Sequence, residues 1–330
     1  MKRPLSEESS RKIVNLSFLC AALICAVHVQ WTPPNSGGDV LLFCRKCLGD
    51  PALSFFFIVS GFFLARHYEE PGWWASAIRK RIGTIVIPYC VWQFVNAVAW
   101  LVVDHRWALR LGNFGLNPFV YPMLDPLWYL RNLMLLVGVS PLLFACLKRW
   151  GVRFLAAVFV AGLAAGCLME TGCLSASSRL GGFLQTTFTL QGLFVFCLGS
   201  YLALRPVSLS RRVGRWCGVA ALALVFARFA LFYLKVPVPF DVVIPATLLA
   251  LAFAWTHVPT FRLPKALARS VFPIYLMHAI ILQTVCRQVF PWSPFTPVEE
   301  LLLGVGGPIV IAELLHRGLP RVARFVFGGR

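Results

Sequence analysis

Charge is scarce in this chain, and acidic charge is scarcer still. Only 13% of the 330 residues are charged, with 13 acids against 31 bases. Hydrophobic residues make up 58% and fall in long blocks. That pattern excludes an ordinary soluble domain and a disordered chain. Strict polar–apolar alternation is weak, which argues against a β-barrel. No Gly/Ser/Pro-rich linker sets off a second domain. The remaining class is an all-α polytopic membrane protein, with residues 1–330 forming one integral membrane domain.

In a soluble protein the net charge of +18 would suggest nucleic acid as a partner. In a multi-span protein, bases in cytoplasmic loops set the orientation and favour anionic lipid head groups. Membrane lipids are therefore the expected partner, and nucleic acid is not. The opening stretch "MKRPLSEESSRK" is polar, so residues 1–12 read as a cytoplasmic tail. The apolar run behind it is too long for a signal-peptide core and ends without a small-residue cleavage site. It is expected to be a retained first span.

Ten segments are long and apolar enough, or nearly so, to cross a bilayer. They are 13–31, 51–66, 86–104, 127–147, 151–169, 182–204, 215–235, 239–256, 269–288 and 298–316. With the N-terminus in the cytoplasm, 22 of the 31 Lys and Arg residues fall in cytoplasmic segments. Seven fall in outer loops: Arg45, Lys46, Arg106, Arg110, Arg179, Lys235 and Arg287. The bias is spread over every cytoplasmic loop, so about ten spans with both termini cytoplasmic are expected. Residues 317–330 form the second tail. Any chemistry is then expected among the spans or in their loops.

Ionisable groups inside spans are the informative residues. On this topology they are His28, Arg131, Arg228, His278 and Glu313. His28 lies about 22 Å above the inner boundary and Arg131 about 6 Å below the outer one. In a core about 30 Å thick both belong to the outer third. Two readings of Arg131 stand. It snorkels to the interface beside Trp128 and Tyr129, or it lines an outward-opening polar cavity with His28. In such a cavity a neutral imidazole takes a proton from a hydroxyl. A guanidinium there holds a substrate oxygen or a developing charge. Arg228 and Glu313 read as snorkelling or structural. Composition and depth leave an enzyme and a transporter of a small anion or acylated metabolite equally open.

Most of the eleven Cys lie in apolar runs, where a thiol is a small hydrophobe. The exception is Cys44–Arg45–Lys46–Cys47, read as a polar loop. One CxxC without a second ligand pair is a weak metal signal, so no metal is expected. A local disulfide stays open if the loop faces an oxidising compartment.

Five separated segments, in order, resemble the acyltransferase-3 family of bacterial multi-span acyltransferases. They are "NLSFLCAALICAVHV" (15–29), "SFFFIVSGFFLARH" (54–67), "RKRIGTIVIPYCVW" (79–92), "PLWYLRNLMLLVGVSPLL" (126–143) and "SVFPIYLMHAII" (270–281). The resemblance runs from about residue 11 to about residue 316. It implies an O-acyltransferase of the inner membrane. Such an enzyme moves an acetyl or other short acyl group from acetyl-CoA or another acyl-CoA to a hydroxyl. The acceptor would be a cell-surface polysaccharide, a lipid-linked glycan or a related glycoconjugate. The family's first-span His matches His28. Its usual Arg, ten intervening residues upstream, is Ser17 here. Ser17 shares a helical face with His28 but carries no charge, and Arg11 and Lys12 are candidates to substitute in part. Some members carry an extra esterase-like domain. This chain is expected to act alone or with a separate acyl-carrying or esterase-like partner.

The resemblance gives the basic stretch Arg79–Lys80–Arg81 two roles to choose between. It fixes topology, or it holds the coenzyme A phosphates. Ser17 belongs to the same donor side. His28 is the expected general base or transient acyl carrier. Arg131 is expected to orient the acceptor or stabilise charge, and Tyr275 and His278, sharing a face at i, i+3, to shape the channel. Ser60 is either an acyl carrier or a packing hydroxyl beside Gly61, which permits close helix approach.

Overall fold

A computed structural model describes residues 5–29, 38–103, 125–170, 189–205, 207–234, 243–289 and 296–329. Among these every regular element is helical. We number the α-helices in order. They are α1 Glu7–His28, α2 Gly38–Ala65, α3 Trp73–Arg81, α4 Ile87–Val103, α5 Trp128–Trp150, α6 Val152–Glu170 and α7 Leu190–Leu204. Then come α8 Arg211–Tyr233, α9 Val243–His257, α10 Lys265–Arg269, α11 Val271–Ile280, α12 Pro297–Gly318 and α13 Pro320–Val326. A π-helical turn, Ile82–Val86, joins α3 to α4, and a longer one, Ile281–Val289, continues α11.

Local chemistry sets several boundaries. The Ser6 hydroxyl caps α1 by accepting from Ser9 N–H, and Glu7 and Glu8 occupy the positive end of the dipole. Thr296 and Glu299 form a reciprocal capping box before α12, with Pro297 in its first turn. Gly151 alone joins α5 to α6 at φ 54°, ψ −124°, a conformation open essentially to glycine.

Among the described residues, each of the ten expected segments overlaps a helix. By length and hydropathy four helices are apolar enough to span: Glu7–His28, Trp73–Ala99, Trp128–Trp150 and Arg211–Leu231. Five shorter apolar helices lie among the others. The described residues thus form an all-helical array with the long apolar helices of a membrane protein.

Two expectations change. Cys44–Arg45–Lys46–Cys47 is not a loop. It lies inside α2, which begins at Gly38 and runs on through Pro51. The proline and the two bases hide a helix whose flanks, Val40–Phe43 and Ala52–Phe57, are apolar. The tail after α12 is also structured. The Trp92 indole N–H donates to the Val326 carbonyl at 3.2 Å, and Phe327 is buried between Trp92 and His316.

The centre is held by α2 against α7. A Cβ on Gly61 would lie 2.1 Å from the Phe196 carbonyl oxygen, and one on Gly199 would lie 2.0 Å from that of Ile58. Two glycines thus let the backbones touch reciprocally, the small-residue packing expected of helices in lipid. An aromatic cluster extends this contact: Phe144 stacks on Trp73 and Phe196 and meets Tyr68 edge-on. Asn15 ties α1 to the turn after α9, donating to the carbonyls of Pro259 and Phe261.

Candidate active site

Helix packing leaves one side of α1, α2, α5 and α11 facing a cavity of about 380 Å³. α1 supplies Ser17, α2 supplies Phe56 and Ser60, and α5 supplies Tyr129. Tyr275 comes from α11, and Arg81 and Arg269 come from the ends of α3 and α10. The wall is mostly aliphatic and aromatic, with few polar groups. That is the usual make-up of a small-molecule site.

The basic stretch is divided by helix geometry. Arg79 and Lys80 are exposed, whereas Arg81 is half-buried and lines the cavity. Arg269, read from sequence only as an orienting charge, lines the same cavity from an exposed position. Ser17 does reach the cavity, and its hydroxyl donates to the Ile13 carbonyl at 2.7 Å. The two expected substitutes for the missing Arg are engaged elsewhere. Arg11 pairs with Glu7 at 2.5 Å, and Lys12 pairs with Glu8 at 2.8 Å and sits over the Trp255 ring.

Deeper in, the aromatic and hydroxyl groups meet. Ser60 Oγ lies 3.4 Å from the Tyr129 hydroxyl. The Tyr129 and Tyr275 rings are 5.7 Å apart, edge to face. The Tyr275 hydroxyl donates to the Pro126 carbonyl, pinning the start of α5 to α11. One turn beyond Tyr275, the His278 ring is 6.3 Å from it and 5.1 Å from the His28 ring. His278 is fully buried. Its Nδ1 lies 2.9 Å from the Ile274 carbonyl. A carbonyl only accepts, so Nδ1 carries the proton and Nε2 is the basic nitrogen. That Nε2 has no hydrogen-bond partner among the described residues. The two histidines, 250 positions apart, are thus brought together.

Arg131 behaves differently from its sequence estimate. It is 3% exposed, so it faces the protein interior and does not snorkel. The residues just before it touch Ser60, in the last two turns of α2, and Tyr275, in the second turn of α11. Its neighbours Leu130 and Leu133 share a buried cluster with Tyr89, in the first turn of α4. Neither Arg131 nor His28 lines the cavity itself; Tyr129 and Leu130 stand between Arg131 and the aliphatic wall.

Three residues escaped the sequence reading. Arg269 stands nine positions before His278, a spacing that only the short α10 turns toward the cavity. Tyr129 looked like an interfacial aromatic. Glu300, buried at 5% exposure in the first turn of α12, was masked by its place at a span end. Outer-loop residues Arg106, Arg110, Arg179 and Lys235 lie outside the described residues.

Chemically, the arrangement offers a basic rim, a mostly apolar passage with hydroxyls, and a pair of imidazoles beyond it. Comparison with known families matches residues 15–317 to an acyltransferase domain. Comparisons with curated proteins and with solved structures gave no match. The family match lends no support to a transporter.

Proposed function

The chain belongs to the acyltransferase-3 family, and from that premise we propose that it esterifies a hydroxyl of a cell-surface polysaccharide or glycoconjugate with an acetyl or other short acyl group. The donor is acetyl-CoA or another acyl-CoA from the cytoplasm. The setting is a bacterial inner membrane, with ten spans and both termini inside, and the chain works alone or beside a separate acyl-carrying or esterase-like partner. One observation carries this reading. The 380 Å³ cavity leads from Arg81 and Arg269 to Tyr129 and Tyr275, and Tyr275 abuts the buried His278, whose ring meets that of His28.

The residues divide the work as follows. Arg81 and Arg269, with Arg79 and Lys80 on the exposed face, bind the donor's phosphates through charge-assisted hydrogen bonds. The thioester arm passes Ser17 and Ser60. The acceptor's hydroxyl proton moves to an imidazole of the His28–His278 pair. The new C–O bond forms at the thioester carbonyl as the C–S bond breaks, and the coenzyme A thiolate takes up a proton. Arg131 holds the acceptor or the developing oxyanion. Ser60 packs beside Gly61 and faces the passage, so its hydroxyl serves as a lining group.

The test is ester analysis of the host's surface glycans with and without the gene, with His28→Ala as a third strain. Loss of one ester on deletion, restored by the wild type and not by His28→Ala, is expected. An unchanged ester profile in the deletion strain would sink the reading.

A further inference from the structure

A second polar stripe runs along α4. Tyr89, Gln93 and Asn96 recur at i, i+4 and i+7, one helical face. All three are buried, at 1%, 4% and 0% exposure. Gln93 Nε2 donates to the Tyr89 hydroxyl at 3.0 Å, and Tyr89 packs in one buried cluster with Leu130 and Leu133 of α5, the neighbours of Arg131. The stripe therefore starts beside Arg131. It rises about 10 Å to Asn96, away from the rim that Arg81 marks at the other end.

Asn96 is the anomaly. Both its amide oxygen and its amide nitrogen are buried without a hydrogen-bond partner among the described residues. The Thr284 hydroxyl is in the same condition. Thr284 belongs to the π-helical segment that continues α11 beyond His278, and that segment packs against α4. A buried amide with neither donor nor acceptor satisfied is destabilising, and native interiors rarely keep one without a use. π-Helical segments are themselves concentrated at functional sites. Two such groups lie on adjoining elements, one of them the continuation of the helix that carries His278.

We propose that Asn96 and Thr284, with Gln93 and Arg131 beneath them, form the acceptor subsite, and that it takes a polyhydroxylated, sugar-type molecule. An amide offers donors and an acceptor side by side, and a threonine hydroxyl does both. Sugar hydroxyls need that combination. None of the four residues is acidic, so nothing in the set repels an oxygen-rich ligand. The assignment rests on the acyl-transfer reading for its purpose, but binding tests it separately.

The probe is the host cell's own surface polysaccharide, de-esterified with mild base and titrated calorimetrically into the purified full-length protein. The wild type is expected to bind it, with Asn96→Leu and Thr284→Val each weakening binding about tenfold or more. In turnover the same variants raise the acceptor KM while the donor KM holds. Their thermal midpoints stay level or rise, because each removes an unsatisfied buried group. A purely structural Asn96 would lower the midpoint and move both KM values together, which overturns the proposal. So would a wild type that fails to bind the polysaccharide, or variants that bind it unchanged, the result expected if only water occupies the place. Binding without acyl transfer would instead leave the subsite standing and remove the proposed reaction.

Discussion

His278 shows how much one residue's surroundings determine. Its Nδ1–H is committed to the Ile274 carbonyl, so the ring is fixed in one tautomer with Nε2 turned to other groups. Asn at this position keeps a donor for that carbonyl but has no base. His278→Asn is therefore expected to accumulate normally and to lose about 10²–10⁴-fold in acyl transfer. Near-wild-type turnover would remove His278 from the chemistry. At the cavity rim, Arg81 and Arg79 make a matched pair. Arg81 lines the cavity and Arg79 does not. Arg81→Gln should raise the donor KM several-fold, as for loss of a charge-assisted bond, whereas Arg79→Gln should have a smaller effect. Equal effects would mean that the stretch acts as a diffuse charge.

Residue chemistry was only partly legible in the sequence. The types stood out because an ionisable group in an apolar run is conspicuous. Their neighbours did not. That His28 meets His278 depends on how α1 and α11 pack, which no spacing within either helix encodes. Asn96 was silent for a different reason: an uncharged amide in an apolar run draws no notice until its burial and missing partners are known.

Among the elements, α2 and α7 carry the most consequential contact. Gly199→Ala would drive a methyl to 2.0 Å from the Ile58 carbonyl oxygen, so the helices must part. A loss of about 1–3 kcal/mol is expected, as for other overpacked sites, read as a lowered thermal midpoint in detergent. Gly138→Ala is the control, since a Cβ there meets nothing within 4 Å. Equal midpoints for the two variants would show that the α2–α7 contact is not tight. Segment-level patterning was the most readable feature of the sequence, and the described part of every apolar run is mainly helical. The failures came where composition and geometry diverge. The CxxC and Pro51 broke an apolar run without breaking α2. The basic tail after α12 hid Val326 and Phe327, which pack under Trp92.

For the whole molecule, orientation follows from the basic residues, which outnumber acids 31 to 13. Reporter fusions after Arg149, after Arg205 and at the C-terminus are expected to report the cytoplasm, and fusions after Arg179 the outer side. A reversed result at Arg149 and Arg205 would mean a miscounted span. It would also put the rim of Arg81 and Arg269 on the wrong side for a cytoplasmic donor. The most direct test of the account is acyl transfer itself. Purified protein in a bilayer receives acyl-labelled acetyl-CoA and de-esterified host polysaccharide. The account predicts a base-labile label on the polysaccharide, formed by the wild type and lost in His28→Ala. Label that never leaves the coenzyme, or that transfers equally well without His28, would contradict it.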